Sequence, residues 1–399
     1  MLGVDAGFTH ASYRPEATAS LVVATDASAL TLQMFQAGPE TTPSITHVPP
    51  RGGWAPLYSG YRGDELHGVP MDEPRRIAWT VRRRPVTLRL RIPDGPSGLY
   101  FLRLTAEDRR VGFAPFVLLP RRLGGHRVAV VFPTNTWQAY NHRDVDGDGW
   151  GDTWYAVNSI NRIDLARAHL HRGVPTRFVG YQLGFLRWLY QTGKEVDFLS
   201  DDQLESLNGR ALRGLYDLIV FLGHHEYMTA HAYDAVTAYR DLGGNLMFTS
   251  TTNFLWKVDR HGRFLFRRAQ WRDLGRPESA LVGVQYLSND YGRHHGTYVV
   301  VGANHAPWAF RGTSLRQGSH FGHGGIEIDA RTPSSPPGTI VLAAMPNLHG
   351  PGLSAEMTYY RTARGARVFA SGTLNFAGTA LEPRVSALLE NLWAQLARR

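Results

Sequence analysis

The stretch DLIVFLGHHEYMTAHAYDAVTAYRDLGGNLMFTS, Asp217 to Ser250, decides the fold. LYDLIVFLG reads as a strand, with an apolar run of strand length. TAHAYDAVTAYRDLGG reads as a helix that Thr229 can cap and Gly243-Gly244 can end. NLMFTS is a strand again. Strands joined by helices of this length form a parallel sheet with helices on both faces.

The same alternation extends upstream. RVAVVFP (Arg127 to Pro133) is a continuous apolar strand of the kind buried on both faces. A helix is predicted around Ser159 to Arg172, a strand at TRFVGY (Thr176 to Tyr181) and helix again over Asp201 to Gly214. Residues 257–335 read as an irregular insert. TIVLAAMPN follows, then a hairpin turning at Arg364-Gly365 and a helix from about Pro383. The first 121 residues differ: ATASLVVAT, LTLQMFQAG, RIAWTV, PVTLRLRIP, GLYFLRLTA and VGFAPFVLL are short strands separated by turn residues, the pattern of an antiparallel sandwich. PRRLGGHR is the linker, which gives domains at 1–121 and 122–399.

Composition narrows the chemistry. The 399 residues carry a net charge of +9, almost all the cations being Arg. In the basic tract Arg75 to Arg91 the Arg residues alternate with apolar ones, as on the wet face of a strand, and no nucleic-acid module accompanies them. Without cysteine there is no disulfide, no thiolate metal site and no Cys nucleophile. No membrane-length apolar run and no signal peptide is read, so the expected setting is the cytoplasm.

Ligands of open parallel sheets bind beyond the carboxyl ends of the strands. The polar residues that follow the predicted strands are Tyr140, Tyr181, the group His224, His225 and Glu226, and Asn253. HHEYMTAH lacks HExxH spacing, and no GxSxG elbow occurs. Two phenols and a carboxylate make a hard, all-oxygen donor set that favours a trivalent ion, Fe(III).

PTNTWQAYN, GYQL, DLIVFLGHHEYMT, DLGGNLMFTSTTNFLWKV and PSGLYFLRL together resemble the large (beta) subunit family of N,N-dimethylformamidase. The resemblance implies an immunoglobulin-like β-sandwich joined to a glutamine-amidotransferase-like α/β domain with a mostly parallel sheet. It implies an iron held by Tyr140, Tyr181 and Glu226, with His224, or else His225, moving a proton. Asn253 would stabilise the oxyanion and Glu327, in GHGGIEID, would protonate the leaving amine. The implied substrate is a small linear amide, N-substituted or not, with no nucleic-acid or membrane partner; a homo-oligomer stays open. The competing reading is a catalytically inactive protein of the same fold that recognises carbohydrate through calcium and aromatics.

The Asp-rich insert lies outside the resemblance. In DVDGDGWGD, Asp144, Asp146, Asp148 and Asp152 fall at positions 1, 3, 5 and 9 of a loop. That is the alternation of an EF-hand-type calcium loop, but position 12 is Tyr155 where a bidentate Glu would stand. Calcium, pinning the loop behind Tyr140, and a solvated acidic turn both fit.

Overall fold

The computed structural model describes residues 3–40, 66–78, 85–155, 160–170 and 172–398. The class is mixed α/β, with 34% strand outweighing 20% helix. Contacts divide the chain into two units: 1–122 with 137–178 and 260–266, and 123–136 with 179–259 and 267–399. The segment carrying Tyr140 and the Asp-rich loop therefore belongs to the first unit. Among the described residues no helix is long and apolar enough to cross a membrane.

In the first unit, Thr18–Ala24 pairs with Asp5–Phe8 and Val86–Arg91. The second sheet is built on Ala29–Gln36, Gly98–Ala106 and Val111–Leu118. Alternate residues of both sheets, among them Leu21, Val23, Leu32, Leu102, Leu104 and Phe116, share one buried core. The tract from Arg75 splits into strands in different sheets, Arg75–Ala78 and Val86–Arg91; its residues 79–84 lie outside the described ones. Arg89 and Arg91 are exposed while Leu90 is buried, as alternation requires.

The helix predicted around Ser159 to Arg172 is not formed. Arg162–Asp164 is a strand whose Ile163 pairs with Leu265. Asp164 Oδ1 accepts the Ala166 amide at 2.9 Å, so its side chain takes a backbone donor that a helix would need. Residues 156–159 and 171 lie outside the described ones.

The second unit holds a nine-stranded sheet in the order Asp197–Ser200, Val128–Phe132, Leu218–Phe221, Asn245–Phe248, Arg367–Ala370, Ala355–Arg361, Ile340–Met345, His295–Val300 and His320–Gly325. The first five are parallel and the remaining pairings antiparallel, so the parallel share is half, not most. The Asp197–Ser200 strand was not anticipated from sequence. The helix Ala230–Asp241 is capped by Thr229 Oγ1 on the Ala232 amide and stops where Gly243 takes φ 90°. The hairpin at Gly365 and the helix Pro383–Leu396 form as predicted.

Two expectations fail here. Thr176 to Tyr181 is no strand: Val179–Leu183 is a π-helical turn running into the helix Gly184–Gln191. That helix buries Phe185, Leu186, Trp188 and Leu189, and the turn packs through Gly180 and Gly184 on Gly378. A Cβ on Gly378 would lie 2.1 Å from the Gly180 carbonyl oxygen. Residues 257–335 are no irregular insert either. They supply His295–Val300 and His320–Gly325 to the main sheet, and Gln285–Asn289 pairs with Glu327–Ala330 beside it.

Candidate active site

The loop after Leu218–Phe221 is held at nearly every amide. Gly223 takes φ 91° and donates to Thr249 Oγ1 at 3.1 Å. The His225 amide faces Asn253 Oδ1 at 3.4 Å, and the Glu226 amide donates to Thr136 Oγ1 at 3.1 Å. The carbonyls of His225 and Glu226 accept the amides of Phe254 and Trp256. Tyr227–Met228 then pairs in parallel with Trp256 and Lys257. The side chains of His224 and Glu226 are thus set by a backbone with little freedom.

His224 Nε2 lies 3.4 Å from Glu226 Oε2 and 3.7 Å from Glu327 Oε2. All three side chains are buried. Glu327 arrives from a strand remote in sequence, after Ile326 at φ 70°. Its Oε1 accepts from Asn289 Nδ2 at 2.9 Å and its Oε2 from Thr252 Oγ1 at 2.6 Å. Asp329, two residues on and also buried, takes the Thr252 amide on both oxygens at 3.1 and 3.0 Å. Thr252 itself sits at φ 56°. A non-glycine residue held there stores strain of about 1–3 kcal/mol.

Electrostatics follow from burial. Loss of water pushes the Glu327 carboxyl up to about 7, against the pull of the Thr252 hydroxyl. Asp329 is driven well above the usual carboxylate range, again chiefly by burial. His224 is pushed down to about 3 by burial, helped by His225, so it is neutral at physiological pH. The Tyr227 phenol is held far above its ordinary value by burial and by Glu226, to which it donates. A buried, neutral histidine thus stands among three buried carboxyls.

The other predicted residues fall as follows. Tyr181, half-buried, sits on the π-helical turn. Its neighbour Gln182 packs on Gly223, where a Cβ would stand 2.3 Å from Gln182 Nε2, so the turn and the His224 loop are locked together. Asn253 ties down its own loop, Nδ2 donating to the Ser250 carbonyl at 2.8 Å. His225 faces the sheet: Nε2 meets the Val131 carbonyl at 3.1 Å, and Nδ1 lies 3.5 Å from Asp201 Oδ1. Tyr140, in the first unit, closes the helix Thr134–Ala139, its ring centroid 5.2 Å from that of Tyr155. Its carbonyl accepts from Thr176 Oγ1 and His142 Nδ1.

Behind Tyr140, Asp144, Asp146 and Asp152 bring one oxygen each within 4.8 Å of one another; Asp148 is not in the group. Their carboxylates also accept loop amides: Asp144 those of Gly147 and Gly149, Asp152 that of Val145. The buried guanidinium of Arg167 pins this segment by donating to the carbonyls of Gln138 and Asp152.

Thr136, Thr252, Asn289 and Asp329 were not anticipated. Asp329 alone left a sequence signal, lying two residues from Glu327 in GIEIDA and so on the same face of a strand.

The profile of the N,N-dimethylformamidase beta subunit-like, C-terminal family matches residues 70–385. The chain belongs to this family. Membership of the dimethylformamidase-like family implies a hydrolase acting on amides. No curated protein matches the chain significantly. Solved structures are similar only at low levels. Superoxide reductase (neelaredoxin) from Ignicoccus hospitalis shares 10% identity over 29% of this chain and 76% of its own, with a TM-score of 0.15. An alpha-2-macroglobulin fragment from Escherichia coli shares 15% over 44% and 48%, TM-score 0.19. A cycloisomaltooligosaccharide glucanotransferase from Paenibacillus shares 7% over 93% and 68%, TM-score 0.18.

Proposed function

We propose that the chain is an iron-dependent amidohydrolase acting on a small linear amide, N-substituted or not. The carrying observation is the buried cluster of His224, Glu226 and Glu327 in a chain of the dimethylformamidase-like family. Tyr140, Tyr181 and Glu226 are the proposed ligands. The donor set suits Fe(III), since phenolate and carboxylate oxygens are hard and anionic. Glu226 is itself a buried carboxyl, and a hard cation stabilises a carboxylate taken out of water.

Fe(III) bound there supplies Lewis acidity toward an amide carbonyl and a water molecule. The protein's groups do the rest. His224, with Nε2 3.4 Å from Glu226 Oε2 and 3.7 Å from Glu327 Oε2, is the group placed to accept the proton that water loses on attack. Glu327, protonated near neutrality and fixed by Thr252 and Asn289, returns a proton to the leaving nitrogen. Asn253 Nδ2 carries a second hydrogen, beyond the one given to Ser250, with which to meet the developing oxyanion. The proposal extends to the fold: the first unit is read as immunoglobulin-like and the second as glutamine-amidotransferase-like.

Metal analysis and hydrolysis of formamide, N-methylformamide and N,N-dimethylformamide test the reading together. Amine release that is lost on chelation and restored by iron supports it; an iron-free protein inert to all three counts against it. Calcium in the Asp144–Asp152 loop is a separate proposal, supported by the three clustered carboxylates. Calorimetric titration of chelated protein should show saturable calcium binding that Asp144→Asn abolishes, and no heat of binding would refute it.

A further inference from the structure

Thr252 is β-branched and buried, yet its backbone is in the left-handed region that such residues avoid. Helix ends and tight turns normally place Gly or Asn there. What this conformation achieves is a bridge between two buried carboxyls. The amide faces both oxygens of Asp329, at 3.1 and 3.0 Å. The hydroxyl lies 2.6 Å from Glu327 Oε2, closer than its 3.2 Å approach to Thr251 Oγ1. Asn289 takes the other Glu327 oxygen, so each oxygen of that carboxyl meets one donor. Glu327 and Asp329 lie two residues apart on one strand, and a single residue reaches both.

We propose that Thr252 is a positioning residue: it fixes the Glu327 carboxyl beside His224, and Asp329 holds Thr252 in the strained conformation this requires. The inference rests on the amidase reading of the site. A proton donor to a leaving amine must be held at one place, and a shift of about 1 Å costs on the order of 10²-fold in rate.

Thr252→Gly and Thr252→Ser test it. Glycine is at ease with this backbone and removes the hydroxyl together with the buried Cβ and methyl group; serine keeps the hydroxyl and lacks only the methyl, so the difference between the two variants isolates the hydroxyl. The expected result for Thr252→Gly is unchanged metal content, a KM within about twofold of wild type and a kcat lowered roughly 10- to 100-fold. Thr252→Ser should recover most of that loss. Crystal structures of both variants should show the Glu327 carboxyl displaced with glycine and in place with serine. Full kcat in Thr252→Gly, or a carboxyl that does not move, overturns the inference. If wild-type protein hydrolyses none of the three amides, the amidase reading fails instead, and the position of Glu327 in the Thr252→Gly structure still decides the positioning role.

Discussion

At Glu327, burial and hydrogen bonding pull in opposite directions, and burial wins, raising the carboxyl to about 7. A carboxyl raised in the folded state stabilises the protein below its unfolded value near 4.5, and this contribution is lost as pH rises through 7. Chelated protein should therefore become less stable between about pH 5 and pH 8, by an amount on the order of 3 kcal/mol from this residue. Glu327→Gln should flatten that part of a melting-temperature-against-pH curve; superimposable curves would contradict the assignment. Asp217 has the opposite sign. Arg127 and Arg213 hold its carboxyl at about 2, so its stabilisation is present above pH 4 and is lost as pH falls through 2. Asp217→Asn should cost about 2 kcal/mol at neutral pH, read by denaturant unfolding, and nothing at pH 2. His224 and Glu226 were legible because they directly follow an apolar strand. Thr252 was not, because no residue type in TSTTN announces a left-handed backbone.

Among the elements, the turn that carries Tyr181 is the instructive failure. TRFVGY has the apolar and aromatic content of a strand, but Gly180 and Gly184 meet the backbone at Gly378, and helical winding starts there. Close approach of remote glycines is a tertiary fact that local pattern does not show. Gly378→Ala should accordingly displace the Tyr181 turn. A Cβ 2.1 Å from a carbonyl oxygen cannot be accommodated by a side-chain adjustment. We expect a loss of roughly 1–3 kcal/mol of stability, together with weaker iron binding; a variant with wild-type melting temperature and iron affinity would refute this. The helix expected around Ser159 to Arg172 failed for a related reason: its apolar spacing is real, but Asp164 closes a turn and Ile163 pairs across a sheet. Ala230–Asp241 was legible because its cap, length and glycine stop all agree.

For the molecule as a whole, the strand-rich first unit and four of the five parallel strands of the second sheet, all but Asp197–Ser200, could be read from apolar runs and their spacing. Of the antiparallel half, Ile340–Met345 and the hairpin at Gly365 could be read too, and the two strands beyond them could not. His295–Val300 and His320–Gly325 are rich in Gly and His, residue types that carry little strand signal, and they enter the sheet through pairing with Ile340–Met345 and with each other. Glu327 was found through the family resemblance, because its partners Thr252 and Asn289 are distant in sequence. The proposed chemistry requires phenolate and carboxylate groups of this chain to bind ferric iron. Iron content and the visible absorption spectrum of purified wild-type protein, measured beside Tyr181→Phe, test it most directly. Iron stoichiometric with the chain and a phenolate-to-Fe(III) charge-transfer band that Tyr181→Phe weakens or shifts are the expected results; a colourless protein without iron, or a band indifferent to that substitution, would contradict iron ligation by these groups.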